Sequence, residues 1–240
     1  MTQKTEEKLY KQLRGLGQRL HIPTFEAFLE LEVRDKDGRV IHHHKQRSHS
    51  WVRNAYNALF CQLGGKNASD GVFGAGNLNW KNTVGGTQSG ARCLGIIRCF
   101  DANTTDTVEA VTKGYYAGAG IDTSGIVVGS GVAAESFEDY ALQTQIANGI
   151  GAGQLSYIES NAPVKSWNGG TLKMTVAHAR YFNNNSGGII TVNEIGLEAC
   201  IHFSADERMM VARDKLGAGV NIPNTGQLKV TYTIELTYPA

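Results

Sequence analysis

The chain has 240 residues, with 29 Gly and only 4 Pro, and its 23 Lys and Arg nearly balance 22 Asp and Glu for a formal net charge of +1. That length suits one large or two small domains that bury a core without covalent staples. The near-neutral charge excludes a global field of the kind that gathers nucleic acid or membrane, and the absence of a Gly-X-Y period excludes a collagen-like rod.

The charge is unevenly placed. Residues 1–60 carry 11 Lys and Arg against 7 Asp and Glu, a local +4, which leaves −3 for the rest. A basic head on an acidic body is compatible with self-association or with docking on another protein. The start, Met1-Thr-Gln-Lys-Thr-Glu-Glu-Lys8, is polar and lacks a signal-like apolar segment. No run is long enough to span a bilayer. A soluble chain made in a cytoplasm is expected. Cys61, Cys93, Cys99 and Cys200 form no C-x-x-C pair and are expected as reduced, mostly buried thiols.

Residues 4–20 are predicted to be helical. Leu9, Leu13, Leu16 and Leu20 recur at spacings of four, three and four, which puts them on one face. Thr5 is a candidate cap, and Gly15 and Gly17 weaken the second half. So short a helix is marginal alone and needs a surface to lie on, either its own body or a neighbouring subunit. Residues 1–24 therefore read as a helical arm and residues 25–240 as the body.

Residues 25–47 read as a hairpin turning at Asp35-Lys-Asp-Gly38. A helix follows over 51–63, with Trp51, Val52, Ala55, Leu59 and Phe60 as its apolar face and Gly64-Gly65 as its stop. The Gly- and Asn-rich stretch 64–92 contains Phe73 and Trp80 and reads as a partner-binding arm or a plain surface loop. Strands are predicted over 93–100 and 108–113. From residue 125 onward, short apolar runs alternate with Gly, Asn and Ser clusters. The runs are Gly125-Ile-Val-Val128, Leu172-Lys-Met-Thr-Val-Ala-His178, Ile189-Ile-Thr-Val192, 195–203 and 228–238. This punctuation predicts a mainly β protein: an antiparallel β-sandwich, jelly-roll-like or Ig-like, with an N-terminal helix and one inserted helix.

Chemical motifs are weak. His42 and His44 share a strand face, and with His49 nearby they suggest a metal, but a closed site needs further ligands. Gly129-Ser-Gly131-Val-Ala-Ala134 imitates a dinucleotide fingerprint before a predicted helix over 135–142. It lacks the acidic residue at the required interval and an enclosing βαβ unit. No G-x-S-x-G elbow occurs. Glu135, Glu138 and Asp139 read as a solvated helix turn. Arg213 and Asp214 read as a local ion pair or turn, worth little if exposed and fixing a connection between strands if buried. Trp80, Tyr115, Tyr116 and Trp167 are candidate stacking platforms for a sugar, or core and interface anchors. The expectation is a non-enzymatic protein without cofactor or metal.

Several segments together resemble structural proteins of tailed bacteriophage particles. They are Asp37-Gly-Arg-Val-Ile41, Arg47-Ser-His-Ser-Trp-Val-Arg-Asn54, Val127-Val-Gly-Ser-Gly-Val-Ala-Ala134, Asp139-Tyr-Ala-Leu142, Ile146-Ala-Asn-Gly149 and Gly151-Ala-Gly-Gln-Leu-Ser-Tyr157. They continue in Arg180-Tyr-Phe-Asn-Asn-Asn-Ser-Gly-Gly188, Ile190-Thr-Val-Asn-Glu-Ile-Gly-Leu197, Ala212-Arg-Asp214 and the closing strand 230–238. The pattern covers most of residues 30–240. The resemblance implies a virion component of tail, neck or capsid surface, made in the host cytoplasm. It would assemble with itself and with other virion proteins, without direct nucleic-acid or membrane contact. The alternative is a receptor- or carbohydrate-binding module of a phage tip. The residues expected to make partner contacts are Leu9, Leu13, Leu16, Phe73 and Trp80.

Overall fold

A computed structural model describes residues 3–64, 79–88, 114–202 and 206–239. Phe73, Cys93, Cys99 and the strands expected over 93–100 and 108–113 lie outside the described residues, as do the side chains of Cys61 and Cys200.

The protein is mainly β, built from antiparallel sheets packed against each other, with an N-terminal helix. Helix α1 (Gln3–Leu20) precedes the hairpin β1 (Thr24–Arg34) and β2 (Val40–Ser48). Helix α2 (Arg53–Gly64) and a small hairpin, β3 (Trp80–Lys81) and β4 (Thr87–Gln88), follow. The remaining strands are β5 (Gly125–Gly129), β6 (Ser156–Tyr157), β7 (Val164–Asn168), β8 (Lys173–Asn183), β9 (Ile190–His202), β10 (Asp206–Ile222) and β11 (Gln227–Thr237). The larger sheet runs β2-β1-β11-β8-β6, with β7 also on β8, and the smaller runs β10-β9-β5.

Period-two alternation builds the larger sheet. Leu29, Leu31 and Val33 on β1 and Leu228, Val230 and Tyr232 on β11 are fully buried. In register, Leu29 opposes Tyr232 and Leu31 opposes Val230, so one face is continuous. The smaller sheet is buried on both faces: Glu194, Ile195, Leu197 and Glu198 on β9 and 209–214 on β10 are almost inaccessible. One face meets the larger sheet. The other is covered by α2 and by the chain over 130–146, which closes on itself through Ser130 N to Thr144 O (2.8 Å) and bonds β5 through Ile146 N to Val128 O (3.0 Å).

Several expectations need correction. The two expected runs 189–192 and 195–203 belong to one strand, β9, which continues through Asn193 and Glu194, with a register shift against β10 at Asn193. Arg213 and Asp214 lie inside the 17-residue β10. Successive strand side chains point to opposite faces, so these two never pair with each other. The helix expected over 135–142 does not form; its carboxylates bind other partners. The helix expected from Trp51 begins at Arg53, and Trp51 bridges to Ala212 instead. The expected apolar face holds only in its first part: Val52 is in the core and Trp51 and Ala55 pack against it. Asn54, Asn57 and Ala58 are buried against the body, while Leu59 and Phe60 are 57 and 42 % exposed.

Candidate assembly surface

Helix α1 docks by a polar face. Residues 7, 10, 14 and 17 recur at three- and four-residue spacing and face the outer surface of β1 and β2. Arg14 Nη1 donates to both carboxylate oxygens of Glu26 at 2.8 and 2.9 Å. Its Nη2 donates to Glu7 at 3.0 Å. Arg47 donates to Glu26 and Glu7, and its guanidinium lies 3.9 Å from the Tyr10 ring and 4.7 Å from that of Phe28. Hydrogen bonds from Arg47, then Arg14, hold the Glu7 carboxyl below the usual carboxylate range.

The helix ends by a left-handed residue, His21, at φ +54°. Ile22 N donates to Gly17 O at 2.8 Å and His21 N to Gln18 O at 3.3 Å, the two bonds of a Schellman stop. A Cβ on Gly17 would lie 2.7 Å from Thr24 Cγ2, so only glycine lets the last turn lie this close to the start of β1.

This docking leaves the apolar face outward. Leu9, Leu13, Leu16 and Leu20 are 46–63 % exposed. The expected leucine stripe is thus a stripe, and it points away from the body. Trp80, expected at a partner contact, is 3 % exposed and belongs to the core. Its indole fills space beneath α2, where Asn54 Nδ2 donates to Lys81 O and Asn54 Oδ1 accepts from Lys81 N.

A second apolar surface lies at α2. The chain over 130–146 is fixed by Glu194 on β9. Its Oε1 accepts from Gly131 N (3.1 Å) and Thr144 N (2.8 Å), and its Oε2 accepts from Gln143 N (3.1 Å) and Arg213 Nε (2.7 Å). Arg213 Nη1 reaches Asp139 at 2.8 Å. A Cβ on Gly131 would lie 2.3 Å from Glu194 Oε1. Within the glycine motif, Gly131 lies against the protein's own buried Glu194 carboxylate, and the dinucleotide reading, already set aside on sequence, has no support in the geometry. The loop so anchored projects Phe137 beside Tyr56 of α2, ring centroids 5.7 Å apart. Arg53 N donates to Phe137 O at 2.8 Å, and the Arg53 guanidinium pairs with Glu138 and lies 5.0 Å from the Phe137 ring. A groove of about 680 Å³ opens here, lined by His49, Ser50, Trp51, Tyr56, Glu135, Ser136 and Phe137.

The other sequence candidates do not converge. His43, rather than His42 or His44, meets a carboxylate, Glu30 at 2.9 Å, and His44 bonds Gln46. Among the described residues no group of three His, Cys, Asp or Glu is placed to hold a metal ion. Tyr115 packs on His178 and Tyr116 bonds Glu159; Trp167 stands 51 % exposed against Tyr238. Ser48, Tyr232 and Asp214 form a hydrogen-bonded trio, with Ser48 Oγ 2.7 Å and Tyr232 Oη 3.0 Å from Asp214 Oδ2. All three are buried between the sheets, closed to any substrate. Among the described residues no helix is long and apolar enough to cross a membrane.

No protein-family model, curated protein or solved structure matches this chain.

Proposed function

We propose that this protein is a non-enzymatic structural component of a tailed bacteriophage particle, in its tail, neck or capsid surface. It assembles with copies of itself and with other virion proteins. The resemblance in sequence gives the setting, and one observation carries the assembly: α1 spends its polar face on the body and presents four leucines to the outside. A helix stripe of this kind left in water is unfavourable, at roughly 25 cal/mol for each Å² of apolar surface, and its burial between chains supplies a driving force for association. The buried polar clusters are fully enclosed and hold strands together, which supports scaffold rather than catalyst.

The test is the solution mass by light scattering at two concentrations. The wild type is expected to form a discrete oligomer. Leu9→Ala combined with Leu13→Ala, both exposed in the single chain, is expected to leave the melting temperature within about 2 °C and to shift the mass toward monomer. Unchanged assembly by that variant removes α1 from the interface, and a wild type that stays monomeric at both concentrations refutes self-assembly.

A further inference from the structure

We infer that the edge of β2 pairs with the same edge of a second copy of this chain around a transition-metal ion such as zinc, held by His42 and His44 of both copies. The inference goes beyond the assembly reading and makes no use of the leucine stripe. Strand β2 ends the larger sheet, and among the described residues β1 is its one partner strand. Among those residues, no backbone group from Ile41 to Arg47 bonds outside the β1 ladder. Such a row of outward N–H and C=O groups is a template for another strand.

The two histidines make this edge a metal site. In the ladder His44 opposes Leu31 and His42 opposes Val33, so both imidazoles leave the same face of the sheet. Helix α1 lies on the other face, over Arg47. The proton on His44 is fixed by its neighbours. Gln46 Nε2 donates to Lys215 O at 3.3 Å, which leaves Gln46 Oε1 as the acceptor in its 2.9 Å contact with His44 Nε2. His44 Nε2 therefore carries the hydrogen and Nδ1 the lone pair. A ligating histidine is held in this way, with its other ring N–H bound to an outer partner. His42 is exposed and makes no side-chain hydrogen bond among the described residues.

One chain offers only these two ligands, short of a closed zinc site. A two-fold antiparallel pairing of the β2 edges supplies the rest. With His43 opposite its own copy, each His42 faces a His44 of the other chain. Opposed side chains on a sheet stand about 5 Å apart at Cβ, so four imidazoles form one cluster. In this register Lys45 faces Ile41 and Gln46 faces Val40, so no lysine or arginine opposes another. Sliding until His44 faces His44 sets Lys45 against His43 and takes both His42 out of the cluster. Sliding the other way shortens the ladder. In metal-free buffer the two edges stay apart.

Zinc chloride alone is the probe, titrated by calorimetry and light scattering into the Leu9→Ala, Leu13→Ala variant, which keeps the stripe out of the reading. One zinc per two chains is expected, with a doubled mass that EDTA reverses. His42→Ala and His44→Ala are each expected to weaken zinc binding at least about tenfold, and Gln46→Ala about tenfold with the metal-free melt unchanged. His43→Ala, on the other face with Glu30, is expected to leave zinc binding as it is. Zinc at one per chain without doubling, binding indifferent to His42→Ala, or no binding at all overturns the proposal and leaves the stripe reading standing. A variant that assembles before zinc is added counts against the stripe alone, and the zinc stoichiometry with its loss in His42→Ala then decides the seam.

Discussion

Arg180 shows how much of this fold rests on single polar side chains. Its side chain is fully buried on β8, and all five of its N–H donors are used on backbone carbonyls. Nε reaches Ile158 O at 2.8 Å, Nη1 reaches Ser124 O and Ile126 O at 3.0 Å, and Nη2 reaches Gly118 O and Ile121 O at 3.2 and 2.5 Å. It thus ties β5 of the smaller sheet to β8 of the larger. Burial lowers its pKa to about 10, so it stays charged at neutral pH, with the Tyr157 ring 4.9 Å away. Lysine has three donors and no planar fork. Arg180→Lys is therefore expected to cost about 3–5 kcal/mol, read as a lower urea midpoint. Glu198 on β9 gives the opposite lesson. Burial pushes its pKa up to about 8, and Asp214 is pushed to about 6. Each keeps, in the native state, a proton that the unfolded chain has already released. Their contribution to stability therefore falls as pH rises from the ordinary carboxylate range through those values, while His178, lowered by desolvation to about 4, adds an opposing rise that is complete above its ordinary 6.5. Between pH 6 and 8 the fall belongs to Glu198, at about 1.4 kcal/mol per unit. Glu198→Gln is expected to flatten that limb in melts run across the interval; an unchanged slope would place the titration elsewhere.

At the scale of elements, legibility followed how each element is buried. The β1–β2 hairpin and β11 were readable because one face is buried and one is wet, so apolar and polar residues alternate. Strand β10 was not. It is buried on both sides, and Arg213 and Asp214 interrupt its apolar run while each finds a partner on its own face, Glu194 and Asp139 for one, Ser48 and Tyr232 for the other. Nothing local in the sequence announces partners 18 to 166 residues away. Helix α1 inverts the usual rule. Periodicity located α1 and its leucine stripe correctly, but the inward face of α2 is mixed: Ala55 and Ala58 pack on the core beside Asn54 and Asn57, which satisfy the β3 hairpin, while Leu59 and Phe60 stay exposed. The groove itself could not be read ahead. Its wall was expected as a helix over 135–142, and Phe137 is presented only because Glu194 and Arg213 hold that segment open.

Taken whole, the molecule is a two-sheet body carrying a helix on polar tethers, and the two parts need not share one stability. The tethers are arranged so that the arm is dispensable to the body. Without α1, Arg47 still donates to Glu26 and still lies over Phe28, so no buried charge is left without a partner, the condition that makes the loss of an ion pair expensive. What α1 itself contributes is Glu7 and Arg14, both partly exposed, and such pairs are worth little in water. Deleting residues 1–20 is therefore expected to leave a cooperative melt within about 4 °C of the full chain, together with loss of helical ellipticity and a strictly monomeric mass. The reverse coupling differs: an 18-residue helix with Gly15 and Gly17 in its second half does not hold its shape unaided, so α1 depends on the body that does not depend on it. A body that melts far earlier without the arm would show that Tyr10 and Gly17 complete its packing, and the leucine stripe would then belong to a structural helix rather than to an arm built for contact between chains.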